Sequence, residues 1–121
     1  MPVLQTTIRA TRMSDESHAV LVAGELDVDV APRLSACLTE LIDSGAETVV
    51  VDLLEVTYMD SAGLAALVEA GKRFRRRDGE LVLVADSPSM TKLLTIAGVG
   101  RLFRIETSLL TAVDHVVASH H

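Results

Sequence analysis

The sequence predicts a single α/β domain: a mostly parallel β-sheet of about five strands, opened by an N-terminal hairpin and packed against four helices. Three observations predict it. Two nearly unbroken aliphatic runs, residues 48–53 (TVVVDL) and 81–85 (LVLVA), have the make-up of strands covered on both faces. Segments with apolar residues at helical spacing alternate with those runs, which is how crossover-linked parallel strands are written in sequence. The chain has 121 residues, about one domain's worth, with no repeat, linker or low-complexity segment.

The elements follow in order. Residues 3–13 and 19–24 are apolar-rich and are separated by the polar cluster Ser14, Asp15, Glu16 and Ser17, which predicts the opening hairpin. Val30, Leu34, Cys37, Leu38 and Leu41 then share one helical face, with Asp29 available as N-cap, Pro32 in the first turn and Gly45 beyond the end. The run at 48–53 is the central strand. Leu64, Leu67, Val68, Gly71 and Phe74 mark a second helix that ends in Arg75, Arg76 and Arg77, with Gly79 as a left-handed cap. After the strand at 81–85, Ser87 and Pro88 open a third helix that closes at Gly98. Residues 102–105 form a short strand, and Thr107 caps a last helix with Leu109, Leu110, Val113, Val116 and Val117 on its apolar side. The domain is expected over residues 1–118, with 119–121 a flexible tail or tag remnant; His120 and His121 have no partners that would make a metal site.

Composition narrows the function classes. A net charge of −6 with no Trp, one Tyr and two Phe lacks the basic face and stacking aromatics of nucleic-acid binders. Hydrophobic residues make up 49% of the chain but are spread over short runs, none of the roughly 20 residues that a bilayer span needs. Met1, Pro2, Val3, Leu4 and Gln5 lack the basic region and apolar run of a secretory signal, so a cytoplasmic location is expected. The single cysteine, Cys37, cannot form an internal disulfide and is expected as a buried structural thiol. No cofactor or metal is expected, and partner proteins become the natural ligands.

Right-handed crossovers put every strand-to-helix loop at the carboxyl edge of the sheet, where open α/β folds place their sites. Three loops should meet there: 25–29, 56–61 and 86–87, an acidic surface carrying Glu25, Asp27, Asp29, Asp60 and Asp86. In the middle loop, Thr57, Tyr58, Met59, Asp60, Ser61, Ala62, Gly63 and Leu64 run from strand into helix, and either Asp60 or Ser61 is placed to cap that helix. The small residues Ala62, Gly63, Ala65 and Ala66 leave the Ser61 hydroxyl unscreened. A phosphate there would meet helix N–H groups and the positive end of the dipole, yet would add about −1.5 to −2 charges beside Asp60 and the Asp27 loop.

The pairing of GELDVDVAP (24–32) with VVVDLLEVTYMDSAGL (49–64) resembles the STAS domain of bacterial anti-sigma-factor antagonists, and the similarity in element order extends over essentially the whole chain. The resemblance implies a regulator and not an enzyme. The serine after the aspartate, Ser61, would be phosphorylated by an anti-sigma factor that is itself a serine kinase. The unmodified protein would bind that kinase and free the sigma factor; the phosphorylated form would let go, and a metal-dependent serine phosphatase would restore binding. Asp27 and Asp60 carry over as surface residues supporting recognition. The expected partner-facing set is Glu25, Asp27, Asp29, Tyr58, Met59, Asp60, Ser61, Ala62, Gly63, Leu64 and Ser87. Two departures stand out: Val30 occupies a position where the family often has threonine, and Ala62 one where a second hydroxyl is common, which leaves Ser61 the only candidate in the turn.

Rival readings fit less well. A phosphate-accepting receiver domain needs a paired acidic cluster after its first strand for Mg²⁺ and a lysine after its last; here Arg104 lies within that strand and no lysine follows. The Gly98, Val99, Gly100 stretch leads into a strand and lacks the third glycine of a dinucleotide fingerprint, so it reads as a turn. Ser61 has no predicted base, since His18 starts a strand and His115 lies on the last helix. The arginines at 73–77 read as a solvated helix end. Within the family, scaffolding relatives of stress complexes and lipid-transport machinery are the main alternative, working without phosphorylation.

Overall fold

In the computed structural model, which describes residues 6–98 and 101–119, the chain runs β1 (Thr7–Arg12), β2 (Ser17–Leu26), α1 (Ala31–Asp43), β3 (Thr48–Met59), α2 (Ser61–Arg76), β4 (Glu80–Val84), α3 (Pro88–Ala97), β5 (Arg104–Glu106), α4 (Leu109–Ser119). The five strands lie in sequence order, β1 antiparallel to β2 and every later pair parallel. The α/β class, the hairpin, the mostly parallel sheet and the helix count are as the sequence predicts.

The aliphatic run of β3 is explained by its place in the middle of the sheet. Val49 and Val51 face the main core with Val20, Val22, Leu81 and Leu83 of the flanking strands and with Leu34, Leu38, Ile42, Leu67, Phe74 and Leu94 of α1, α2 and α3. Val50 faces the other way, with Val82 and Val84 against Ala112 and Val116 of α4. Alternate side chains therefore meet helices on opposite faces, and neither set can be polar. Each fully buried Leu or Phe in this core contributes about 1.5–3 kcal/mol relative to an exposed one.

β3 extends beyond the expected 48–53, and residues 56–59, read as a loop, are strand. β4 pairs with β3 only as far as Asp52, but β2 continues alongside, with Ala23 opposite Glu55, Glu25 opposite Tyr58 and Leu26 opposite Met59. This two-stranded projection is largely exposed, so it lacks the aliphatic signature. Register shifts at Leu21/Ala23 and Gly24/Glu25 twist it, and Gly24 takes φ 108°, a conformation open to glycine.

Several caps differ from expectation. α1 has Val30 at its N-cap, which has no side chain to cap with, and the Asp27 carboxylate, not Asp29, closes the turn. After α2 the left-handed residue is Asp78 (φ 56°), not Gly79. Gly79 is needed for a close approach instead, because a Cβ there would stand 2.6 Å from the Glu47 carbonyl oxygen. At α4, Ser108 and not Thr107 accepts the Thr111 N–H, at 3.1 Å. β1 begins at Thr7, β5 covers only Arg104–Glu106, and α4 runs one residue into the expected tail. Residues 3–5 of the first apolar run, Val99 and Gly100 of the expected turn, and the terminal histidines lie outside the described residues.

The arginines of α2 hold its neighbour in place. Arg73 donates to Thr39 Oγ1 at 2.7 Å and to Asp43 at 3.4 Å, and the Arg77 guanidinium donates to the Ile42 carbonyl at the end of α1. Only part of the run is the solvated end expected. Cys37 is half-buried against the core, not fully buried; burial first, then the charge of Glu40, pushes its thiol pKa up, so it stays protonated.

Candidate functional site

The site is assembled where β2 and β3 end. At the end of β2 the chain turns through Asp27, whose Oδ1 accepts the N–H groups of Asp29 and Val30, each at 3.1 Å, and whose carbonyl accepts the Ala31 N–H at 2.8 Å. This is an Asx-type turn feeding directly into α1. At the end of β3, Asp60 is the N-cap of α2, its Oδ1 accepting from Ala62 N at 2.9 Å and Gly63 N at 3.0 Å. Its other oxygen, Oδ2, accepts the Val28 N–H at 2.9 Å, and its own N–H donates to the Leu26 carbonyl at 3.3 Å. One side chain thus satisfies two orphan donors of a helix end and ties the neighbouring loop to it.

Gly63 permits that contact. A Cβ at this position would lie 2.4 Å from the Leu26 carbonyl oxygen and 2.8 Å from Leu26 Cγ, so any side chain would push the first turn of α2 away from β2. Glycine within the opening turn of a helix costs helix propensity, which the close packing and the Asp60 cap offset.

Ser61 is the first residue of α2 and is exposed, and among the described residues its hydroxyl has no hydrogen-bond partner. Asp60, not Ser61, does the capping. The N–H groups of Ala62, Gly63 and Leu64 are all taken by Asp60, the last by its carbonyl at 3.1 Å. A phosphate on Ser61 would therefore find these three helix donors, which the sequence suggested as its partners, already occupied, and would sit beside a carboxylate.

Around Ser61 the expected residues divide by exposure. Glu25, Asp29, Tyr58 and Ser87 are exposed, as are Thr57 and Asp86; Asp27, Met59, Asp60, Ala62 and Leu64 are half-buried, and Gly63 is buried. Asp27 and Asp60, expected as surface recognition residues, spend carboxylate oxygens on backbone donors and act as struts. Two recesses flank the serine. One, of about 460 Å³, lies between α1 and α2 and is lined by Val28, Pro32, Ala62 and Ala65 with Glu69 at its margin. The other, of about 270 Å³, lies between the end of β3 and α3 and is lined by Tyr58, Met59, Ser87, Met90 and Leu93. Val28 is 63% exposed, Tyr58 53% and Leu93 40%. Val28, Pro32, Met90 and Leu93 escaped the sequence reading; the legible signal was Val28, an apolar residue between two aspartates in a turn.

The histidines lie elsewhere. His115 Nε2 is 2.6 Å from Glu80 Oε1 at the start of β4, on the edge of the sheet opposite Ser61, and His18 lies near the start of β2. Among the described residues no group of three or more His, Cys, Asp or Glu could hold a metal ion, and no helix is long and apolar enough to cross a membrane.

Known proteins resemble this chain over most of its length. The anti-sigma-B factor antagonist of Staphylococcus aureus is 35% identical over 95 residues, 78% of this chain and 88% of that protein. That of Listeria monocytogenes is 37% identical over 93 residues, 76% of this chain and 82% of that protein. Solved structures share the fold: the anti-sigma factor antagonist SpoIIAA in its unphosphorylated form has a TM-score of 0.76 at 20% identity, covering 91% of this chain and 97% of the other. The phosphorylated form of SpoIIAA, the Bacillus cell fate determinant, has a TM-score of 0.74 at 22% identity, covering 91% and 99%. The family model described as the STAS domain matches residues 10–112, so the chain belongs to the STAS domain family.

Proposed function

We propose that this chain is an anti-sigma-factor antagonist whose binding is switched by phosphorylation of Ser61. In this reading the unmodified protein docks its carboxyl edge on an anti-sigma factor that is also a serine kinase, and so releases the sigma factor. A metal-dependent serine phosphatase reverses the modification, and both encounters take place in the cytoplasm.

The observation that carries the reading is the exposed, unpartnered Ser61 hydroxyl beside an Asp60 carboxylate that already fills the end of α2. A phosphate of about −1.5 to −2 charges placed there finds the N–H groups of Ala62, Gly63 and Leu64 already taken by Asp60, so much of its charge is presented to whatever sits on the edge. The flanking recesses at Val28/Pro32 and Tyr58/Leu93 supply apolar contact on either side, as the centre of an interface requires. Binding energy then comes from apolar recesses and the switch from charge. The names of the curated relatives and the phosphorylated form known for SpoIIAA support the same reading.

The test is affinity capture from the native cell with wild type, Ser61→Ala and Ser61→Asp, followed by mass spectrometry of the bound protein and of Ser61. The expected result is one partner with an ATP-binding kinase domain, held by wild type and Ser61→Ala and lost with Ser61→Asp. Equal capture by both variants, or lipid-transport subunits with Ser61 unmodified, would contradict it.

A further inference from the structure

At the opposite edge of the sheet from Ser61, where β4 and β5 begin and α2 ends, a cleft of about 630 Å³ is lined by Arg75, Arg101 and Arg104 together with Glu80, Leu81 and Phe103. Three arginines converge there in a chain whose net charge is −6. Glu80 meets His115 Nε2 at 2.6 Å, and Glu106 accepts from Arg104 Nε at 2.6 Å. That contact uses Nε alone, which leaves the terminal nitrogens of the Arg104 guanidinium to donate elsewhere. Arg101 is exposed and stands at φ 65°, a left-handed conformation uncommon for a non-glycine residue. The remaining walls, Leu81, Leu102 and Phe103, are apolar. Guanidinium groups over an apolar floor bind anions more tightly than the same groups in open water, because the local dielectric is lower.

We propose that this cleft binds a small, free, multiply charged phosphate compound, independently of the Ser61 surface. The guanidinium fork matches phosphate oxygens in pairs, and a volume of about 630 Å³ falls in the range of about 300–1,000 Å³ typical of small-molecule sites, larger than one phosphate group needs. The cleft sets three arginines against one lining carboxylate, Glu80, whereas the carboxyl edge is acidic and repels the same ligand.

Inorganic triphosphate is the probe. Calorimetric titration of the full chain should show a single site, and amide spectra should shift at Gly79, Leu81, Phe103 and Arg104 with no change at Ser61. Arg101→Gly, which also relieves the positive φ, should weaken binding about tenfold, the worth of one charge-assisted hydrogen bond, with no fall in melting temperature. Arg101→Lys, which keeps the charge but loses the fork, should bind more weakly than wild type and more tightly than Arg101→Gly. No heat and no shifts with millimolar triphosphate would overturn the proposal, as would wild-type affinity in Arg101→Gly. Co-sedimentation with anionic phospholipid vesicles and no response to the free compound would also overturn it.

Discussion

The Asp60 carboxylate accepts the Val28 backbone N–H at 2.9 Å across 32 residues of sequence, while its second oxygen caps α2. The turn that exposes Ser61 and the turn that exposes Val28 are therefore one mechanical unit. A charge added at Ser61 acts on a surface whose shape is fixed by its immediate neighbour.

Asp60→Ala removes both the cap and the tie and should lower unfolding free energy by about 1–3 kcal/mol. Asp60→Asn keeps one acceptor oxygen but replaces the other with a donor facing the Val28 N–H, so its loss should be intermediate or equal. Urea unfolding of the three proteins checks the order; an unchanged midpoint in the alanine variant would show that the tie carries no stability.

Gly63→Ala tests the close approach of α2 to β2. Helix propensity alone favours alanine by about 1 kcal/mol. The Cβ, however, would meet Leu26 backbone oxygen at 2.4 Å, and overpacking of this kind costs about 1–3 kcal/mol. Net destabilisation in urea unfolding is expected.

The turn after α2 offers a pair of opposite sign. Asp78→Gly should stabilise by about 0.5–1 kcal/mol, since Asp78 sits at φ 56°, where glycine carries no steric cost. Gly79→Ala should destabilise, because its Cβ would press on the Glu47 carbonyl at 2.6 Å. Thermal unfolding distinguishes them directly.

That pair also shows what the sequence conceals. Strands and helices whose two faces are both buried announce themselves, as Val49, Val50 and Val51 do, because every position is apolar. Which of two adjacent residues takes the left-handed conformation at 78–79 depends on a contact with Glu47, more than thirty residues away, and no local pattern records it. The end of β3 was hidden for a related reason: residues 55–59 are held by backbone pairing to β2, with Glu55, Thr57 and Tyr58 exposed and only Val56 and Met59 half-buried, so the segment lacks a continuous aliphatic run. At the site, Ser61 and Asp60 were legible as a helix start, but the division of labour between them was not. It is decided by which oxygen reaches the Val28 N–H, a loop remote in sequence. The recess at Val28 and Pro32 likewise exists only once α1 and α2 are packed together.

Glu106 carries a pH-dependent contribution. The Arg104 hydrogen bond, opposed in part by burial, lowers its carboxyl pKa below the ordinary value. A carboxylate with a depressed folded-state pKa adds stability that is present above the unfolded value, about 4.3, and is lost as pH falls through the folded value. Since Arg104 is about half exposed, the contribution should be under about 1 kcal/mol. The stability difference between wild type and Glu106→Gln should be constant from neutral pH to about 5 and shrink below about 4; a difference that grows on acidification would contradict this.

The most direct measurement is the affinity of the purified anti-sigma factor kinase for this protein unmodified and stoichiometrically phosphorylated at Ser61, at one salt concentration. The account predicts tight binding by the unmodified form and by Ser61→Ala, and a loss of at least about tenfold on phosphorylation, from charge set beside the Asp60 carboxylate. Equal affinity of the two forms would contradict it.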